Sequence, residues 1–136
     1  MRFAYKELPG DDGDFLRPVV AVGLAGQESL SHACLIDSGA LHNRFALWTA
    51  ETAGVPLDEG IRTRIAVGGI ICEAVTVPVE LRIGDVDWHA AVSFCDPWPF
   101  GFNLLGQEGF FRFFEATFQA SRYSFELQPD HGRSHP

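Results

Sequence analysis

Asp37-Ser38-Gly39 is the run whose chemistry stands out. An apolar segment, Ala33-Cys34-Leu35-Ile36, delivers the acid straight into a Ser-Gly turn, and the chain returns at once to apolar Ala40-Leu41. Asp and Gly are turn formers, so the plain reading is a solvated surface loop. An acid bracketed so closely by apolar residues has a second reading, a carboxylate held deliberately inside. Such a group takes a proton from a reacting partner when ionised and gives one when protonated.

The elements around this run read mostly as strands. Pro18–Leu24 is apolar and β-rich, and a second strand runs from Ser31 to Ile36 and ends at Asp37. Asn43 is placed to cap a short helix over Phe45–Ala53, which Gly54 and Val55-Pro56 then end. Ile61–Val67, Gly68-Gly69 and Ile70–Val75 read as a hairpin around a Gly-Gly turn. Val77–Ile83 and Val86–Phe94 form a second hairpin through Gly84-Asp85. Pro97 and Pro99 keep residues 96–101 out of any ladder. Phe102–Leu105 is a short buried strand, Gln107–Phe113 suits one or two helical turns, and strands at Ala116–Gln119 and Tyr123–Leu127 follow. The expected architecture is a mainly β domain with two short helices. Residues 1–16 form an N-terminal segment with an acidic turn, 17–128 the domain, and 129–136 a frayed polar tail.

Bulk properties narrow the function. The chain has 136 residues, 46% of them apolar and 21% charged, enough for one domain with a real core. A net charge of −8 argues against nucleic acid and against an anionic membrane surface as partners. No apolar stretch has the length of a membrane span, and Met1–Pro9 lacks the apolar centre of a signal peptide. Cys34, Cys72 and Cys95 are odd in number and each sits in an apolar run, which suits buried free thiols in a reducing cytoplasm. They offer no close ligand pair for zinc, and no metal or other cofactor is expected. The histidines His32, His42, His89, His131 and His135 also lack ligand spacing and are expected at the surface. Asp11, Asp12 and Asp14 are expected to be a solvated acidic loop.

Several landmarks, in order, resemble the retropepsin-like aspartic proteases, the single-domain retroviral enzymes and their bacterial and cellular relatives. Arg17–Val22 with Gly26-Gln27 resembles that family's first long strand and turn. Leu35-Ile36-Asp37-Ser38-Gly39-Ala40 matches its signature of two apolar residues, Asp, Thr or Ser, Gly and Ala. Val67-Gly68-Gly69-Ile70 stands where the tip of a flap hairpin is expected, and Pro97-Trp98-Pro99 resembles its Pro-x-Pro loop. Asn103-Leu104-Leu105-Gly106 resembles the apolar element that crosses behind the catalytic loop.

The resemblance implies a closed β-barrel of the acid protease fold, and a function as an aspartic endopeptidase. Two carboxylates sharing one proton can both activate water and protonate the scissile amide, since like charges that close cannot both ionise. This chain supplies one such loop, so the implied enzyme is a homodimer with one Asp37 from each subunit. Ser38 would hydrogen-bond across to the partner loop, and Gly39 would let backbone amides reach the carboxylates. Ala40, Gly68, Gly69 and Ile70 would contact an extended peptide or protein substrate, with Trp98 and Phe100 lining its pockets. The family's Arg after the crossing strand is Gln107 here, and the acid that retroviral enzymes pair with it is Leu41. Both halves of that ion pair are replaced together, which avoids stranding a charge. The alternatives are an inactive dimerisation or peptide-binding module on the same fold and, more remotely, a barrel that binds a small ligand.

Overall fold

A computed structural model describes residues 1–9, 15–24, 26–27 and 30–130. The acidic turn with Asp11, Asp12 and Asp14, and the tail from 131 with His131 and His135, lie outside the described residues. In chain order the strands are β1 (Arg2–Ala4), β2 (Lys6–Glu7), β3 (Leu16–Arg17), β4 (Val19–Leu24), β5 (Ser31–Ile36) and β6 (Asn43–Ala46). Helix α1 (Leu47–Ala53) comes next, then β7 (Ile61–Val67), β8 (Ile70–Ile83), β9 (Val86–Asp96) and β10 (Asn103–Leu105). A π-type turn at Gln107–Phe111 leads into β11 (Phe114–Gln119), a 3-10 turn at Ala120–Arg122 and β12 (Ser124–Pro129).

The protein is mainly β, and its central sheet closes on itself. Its order is β4-β5-β10-β6-β9-β8, and β8 returns to β4 through Gly23↔Arg82 and Leu24↔Leu81. That makes a six-stranded barrel from which β7 hangs as an arm paired along the first half of β8. Closure removes the exposed edges that an open sheet would present. The interior is filled by alternate residues: Val22 and Leu24, Cys34 and Ile36, Phe45, Leu81 and Ile83, Val92 and Phe94, and Leu105. Phe45 and Phe94 meet edge-to-face with centroids 6.0 Å apart.

A second sheet, β1-β12-β11, closes one end of the barrel. Phe3 stacks on Phe125, and Phe125 and Leu127 join the same core. The first residues therefore pair with the last strand, Arg2↔Glu126 to Ala4↔Ser124, and Pro129 still belongs to β12.

Three local expectations change. Ile70–Val75 and Val77–Ile83 are one continuous strand, because nothing between them breaks the ladder to β9. The helix begins at Leu47, and its N-cap is Ala46, with no side-chain cap. Asn43 is instead a fully buried residue of β6. Its Oδ1 accepts from Gly106 N at 3.1 Å, and its Nδ2 donates to the carbonyls of Gly109, at 3.0 Å, and Ala91. It stands in for backbone where β6 and the π turn would otherwise bury unpaired groups.

The thiols of Cys34, Cys72 and Cys95 are free and buried, as their apolar settings imply. Burial raises the Cys95 thiol to about 12, Cys72 beside it adds to the rise, and Arg44 opposes it. Burial also holds Cys34 well above its ordinary value.

Asn43 yields a stability prediction. Asn43→Ala leaves the buried Gly106 N–H unpaired, while Gly109 C=O keeps its bond from the Trp88 indole N–H, and is expected to cost about 2–3 kcal/mol in urea denaturation. A cap residue would cost about 1 kcal/mol. A loss that small would place Asn43 at a solvated helix end.

Candidate active site

The loop carrying Asp37 leaves β5 and enters β6, yet those strands do not pair with each other. β10 lies between them, parallel to β5 with Leu104↔Leu35 and Leu105↔Ile36, and antiparallel to β6 with Leu104↔Arg44. Loop 37–42 thus arches over the end of β10 and is pinned from beneath. Asp37 N donates to Leu105 O at 3.0 Å. Gln107 N donates to Ala40 O at 2.9 Å and Glu108 N to Leu41 O at 2.8 Å. The Gln107 side-chain amide reaches Ser38 O at 2.8 Å.

This closeness has a steric condition at Gly106. A Cβ there would lie 2.6 Å from His42 O and 2.8 Å from Ala40 O, inside contact distance of backbone that is itself held. Glycine is the residue that lets the two segments touch. The second condition is the turn itself, where Gly39 N donates to Asp37 Oδ1 at 2.9 Å and Ala40 N to Asp37 O at 3.1 Å. A Cβ on Gly39 would sit 3.2 Å from that Oδ1, tight against the carboxylate. Asp37 and Ala40 are half-buried, while Ser38 and Gly39 are exposed. In the single chain the acid is thus at the barrel surface, its backbone fixed and its carboxylate oriented by one amide.

The β7–β8 hairpin, expected to form a flap, turns at the glycine pair as its sequence implies. Gly68 and Gly69 have φ of 58° and 82°, the left-handed values that a two-residue hairpin turn requires and glycine supplies freely. The tip packs on its own chain: a Cβ on Gly68 would be 3.1 Å from both Phe100 Cζ and Pro99 Cγ. Just below it, Val67, Cys72, Ala74 and Cys95 form a small second core against Ile65, Trp98 and Phe100. Ile70 at the tip and Ile71 beside it are exposed, the latter 71%. Trp98 donates its indole N–H to Phe102 O at 2.8 Å and meets Phe100 edge-to-face.

The expected site residues therefore fall into two groups. Asp37, Ser38, Gly39 and Ala40 share one pinned loop, and Gly68, Trp98 and Phe100 meet at the flap tip. Trp98 and Phe100 also line a cleft of about 270 Å³ with Pro9, His32, Trp48 and Asn103, at the end of β5 opposite Asp37.

His32 corrects the expectation of five surface histidines: it is 8% exposed, with Trp48 edge-to-face at 6.0 Å. Its Nε2 has no partner among the described residues, and burial pushes the imidazole below its ordinary 6.5. The strand alternation could have revealed this, since His32 shares the inward face with Cys34 and Ile36. Among the described residues no group of three or more His, Cys, Asp or Glu could hold a metal ion, and no helix is long and apolar enough to cross a membrane. In comparisons with known proteins, no family model and no curated protein matches the chain.

Two predictions come from this geometry. Gly106→Ala is expected to cost about 2–3 kcal/mol by overpacking, read as a lower urea midpoint, whereas Gln107→Ala removes one exposed hydrogen bond and costs about 1 kcal/mol. Equal losses would contradict the steric account of Gly106. For His32 the folded state disfavours the proton, so the unfolded chain binds it more readily as pH falls below about 6.5. Stability present above that pH is lost as pH drops towards the lowered folded value. The difference in unfolding free energy between wild type and His32→Leu should change with pH across that window, and a constant difference would contradict it.

Proposed function

We propose that this chain is an aspartic endopeptidase of the retropepsin-like type, active as a homodimer in which each subunit contributes one Asp37. The observation that carries the reading is the pinned loop: β10 threads between the strands flanking Asp37, Leu105 O accepts from Asp37 N, and Gln107 N and Glu108 N donate to Ala40 O and Leu41 O of the same loop. A loop held this firmly, with an acid at its crest, suits a carboxylate that must be positioned within a fraction of an ångström of its twin. The glycine pair at the β7–β8 turn and the exposed Leu41 support the same reading.

In this mechanism the two Asp37 carboxyls share a single proton. The ionised one draws a proton from a water molecule lying between them, and the water oxygen attacks the scissile carbonyl. The protonated one hydrogen-bonds the carbonyl oxygen as charge develops there. A proton then passes to the departing amine, giving one carboxylic acid and one amine and restoring the shared proton. The pair titrates as a unit, with the proton belonging to neither acid alone. Ser38, whose hydroxyl has no hydrogen bond among the described residues, serves to bind the partner loop. Gly68–Ile70 close over a peptide bound as an added strand. Gln107 does with a neutral amide what an Arg does in much of the family, bracing the loop through Ser38 O. The free thiols suit a reducing compartment such as the cytoplasm.

The test is cleavage of a peptide library at mildly acidic and neutral pH by wild type and by Asp37→Asn. Wild type is expected to cleave, and the variant to lose about 100-fold or more while keeping its β circular-dichroism spectrum. Equal cleavage by both proteins removes Asp37 from the chemistry. Binding of peptides without cleavage by either protein favours the inactive peptide-binding module.

A further inference from the structure

Arg44 stands on the same face of the barrel wall as Asp37. In β5, Cys34 and Ile36 point into the core, so Ala33, Leu35 and then Asp37 take the opposite face, and these three are half-buried. In β6, Asn43 and Phe45 point inward, which leaves Arg44 on that opposite face. The register ties the two together, because Leu104 of β10 lies directly between Leu35 and Arg44. On the far side of Arg44 the same face continues through Ser93 and Cys95 to Ala74 and Cys72, under the base of the flap. Cys72 and Cys95 lie on this same face, and the Arg44 charge opposes the rise that burial gives their thiols.

Two features of this residue call for an explanation. Arg44 is half-buried, yet among the described residues its guanidinium has no ion pair and no hydrogen bond. The other arginines drawn into ion pairs, Arg2, Arg64, Arg82 and Arg112, do so on exposed faces. A half-desolvated guanidinium between apolar Leu104 and the small core at the flap base is poorly placed unless an anion joins it. Five fixed donors in a fork suit a carboxylate in particular.

We propose that Arg44 is a specificity-determining residue, which selects an acidic side chain, Glu or Asp, on the peptide substrate close to the cleaved bond. Two strand spacings separate β5 from β6, about 10 Å, and Asp37 lies two residues beyond the point opposite Arg44, about 7 Å along the strand. The two Cα atoms are therefore about 12 Å apart. An extended peptide advances about 3.4 Å per residue, so about 12 Å is roughly three and a half residues between Cα atoms, and the length of the Arg44 side chain, about 6 Å, brings the guanidinium within reach of a side chain two or three residues from the scissile bond. The substrate is then amphipathic over a short span. Apolar residues meet Leu35, Leu104 and the flap, and one carboxylate is anchored at Arg44. This deepens the peptidase reading and rests on it.

The experiment uses random octapeptide libraries with one position at a time fixed as Glu or as its neutral isostere Gln. Wild type is expected to cleave the Glu library about tenfold or more faster, in kcat/KM, at one position within three residues of the cut, since charge-assisted hydrogen bonds are worth about that. In Arg44→Gln the ratio should fall to near one. In Arg44→Lys it should stay above one, and in Arg44→Glu it should reverse in favour of a Lys library. Cleavage by wild type with no Glu preference at any position overturns this proposal while leaving the peptidase reading intact. If wild type cleaves nothing, that reading falls, and binding of the same libraries to Asp37→Asn decides the role of Arg44 by itself. Tighter binding of the Glu library, lost in Asp37→Asn/Arg44→Gln, supports an acid-selecting site, and equal or absent binding overturns it.

Discussion

Gly106 lets the end of β10 lie against the carbonyls of Ala40 and His42, and the proposed chemistry depends on that approach. With no side chain between them, Leu105, Gln107 and Glu108 can all bond the loop that carries Asp37. The loop would otherwise be free to move as surface turns do. Here its backbone is tied to a strand that is itself clamped by β5 and β6, and Asn43 adds a buried side-chain tie from β6 to Gly106. A carboxylate whose value lies in meeting a second one at hydrogen-bond range needs such a mount, since small displacements are costly in catalysis.

The bracing is neutral. Gln107 donates its neutral side-chain amide to Ser38 O, and Leu41 of the same loop is 56% exposed. A buried ion pair broken on one side costs several kcal/mol, whereas an amide–carbonyl bond avoids that exposure altogether. Leu41 puts an exposed apolar side chain beside Asp37, where the proposed second subunit would cover it. Arg44 is an unpaired cation on the Asp37 face among the described residues, in a chain whose net charge is −8.

Much of this was legible in the residues. Period-two alternation located most of the strands, and the glycine pairs and prolines marked the turns, because those signals are local. The site loop was legible for the same reason, since Asp37-Ser38-Gly39 follows a strand. What the residues do not show has two sources, distant partners and residue type. Asparagine serves equally well at a helix start or as a buried substitute for backbone, and for Asn43 only the distant partners Gly106 and Gly109 decide between them. Placing the helix start early also hid Arg44, whose face is defined only once Asn43–Ala46 is known to be a strand. For His32 residue type points to the surface, whereas its own strand's alternation with Cys34 and Ile36 points inward. Gly106 and Gln107 could be named in advance, but the reason they matter lies in contacts more than sixty positions away in the chain.

The central claim is that the working site is built from two copies of one acid, and mixing two proteins tests it most directly. Wild type is held at fixed concentration while Asp37→Asn is added, and peptide cleavage is followed after the subunits have exchanged. Random pairing at equal amounts leaves half of the wild-type chains with a wild-type partner, so activity should fall to about half and continue towards zero with excess variant. Activity that stays constant at every ratio would mean that each chain carries a complete site, and the shared-carboxylate account would be wrong.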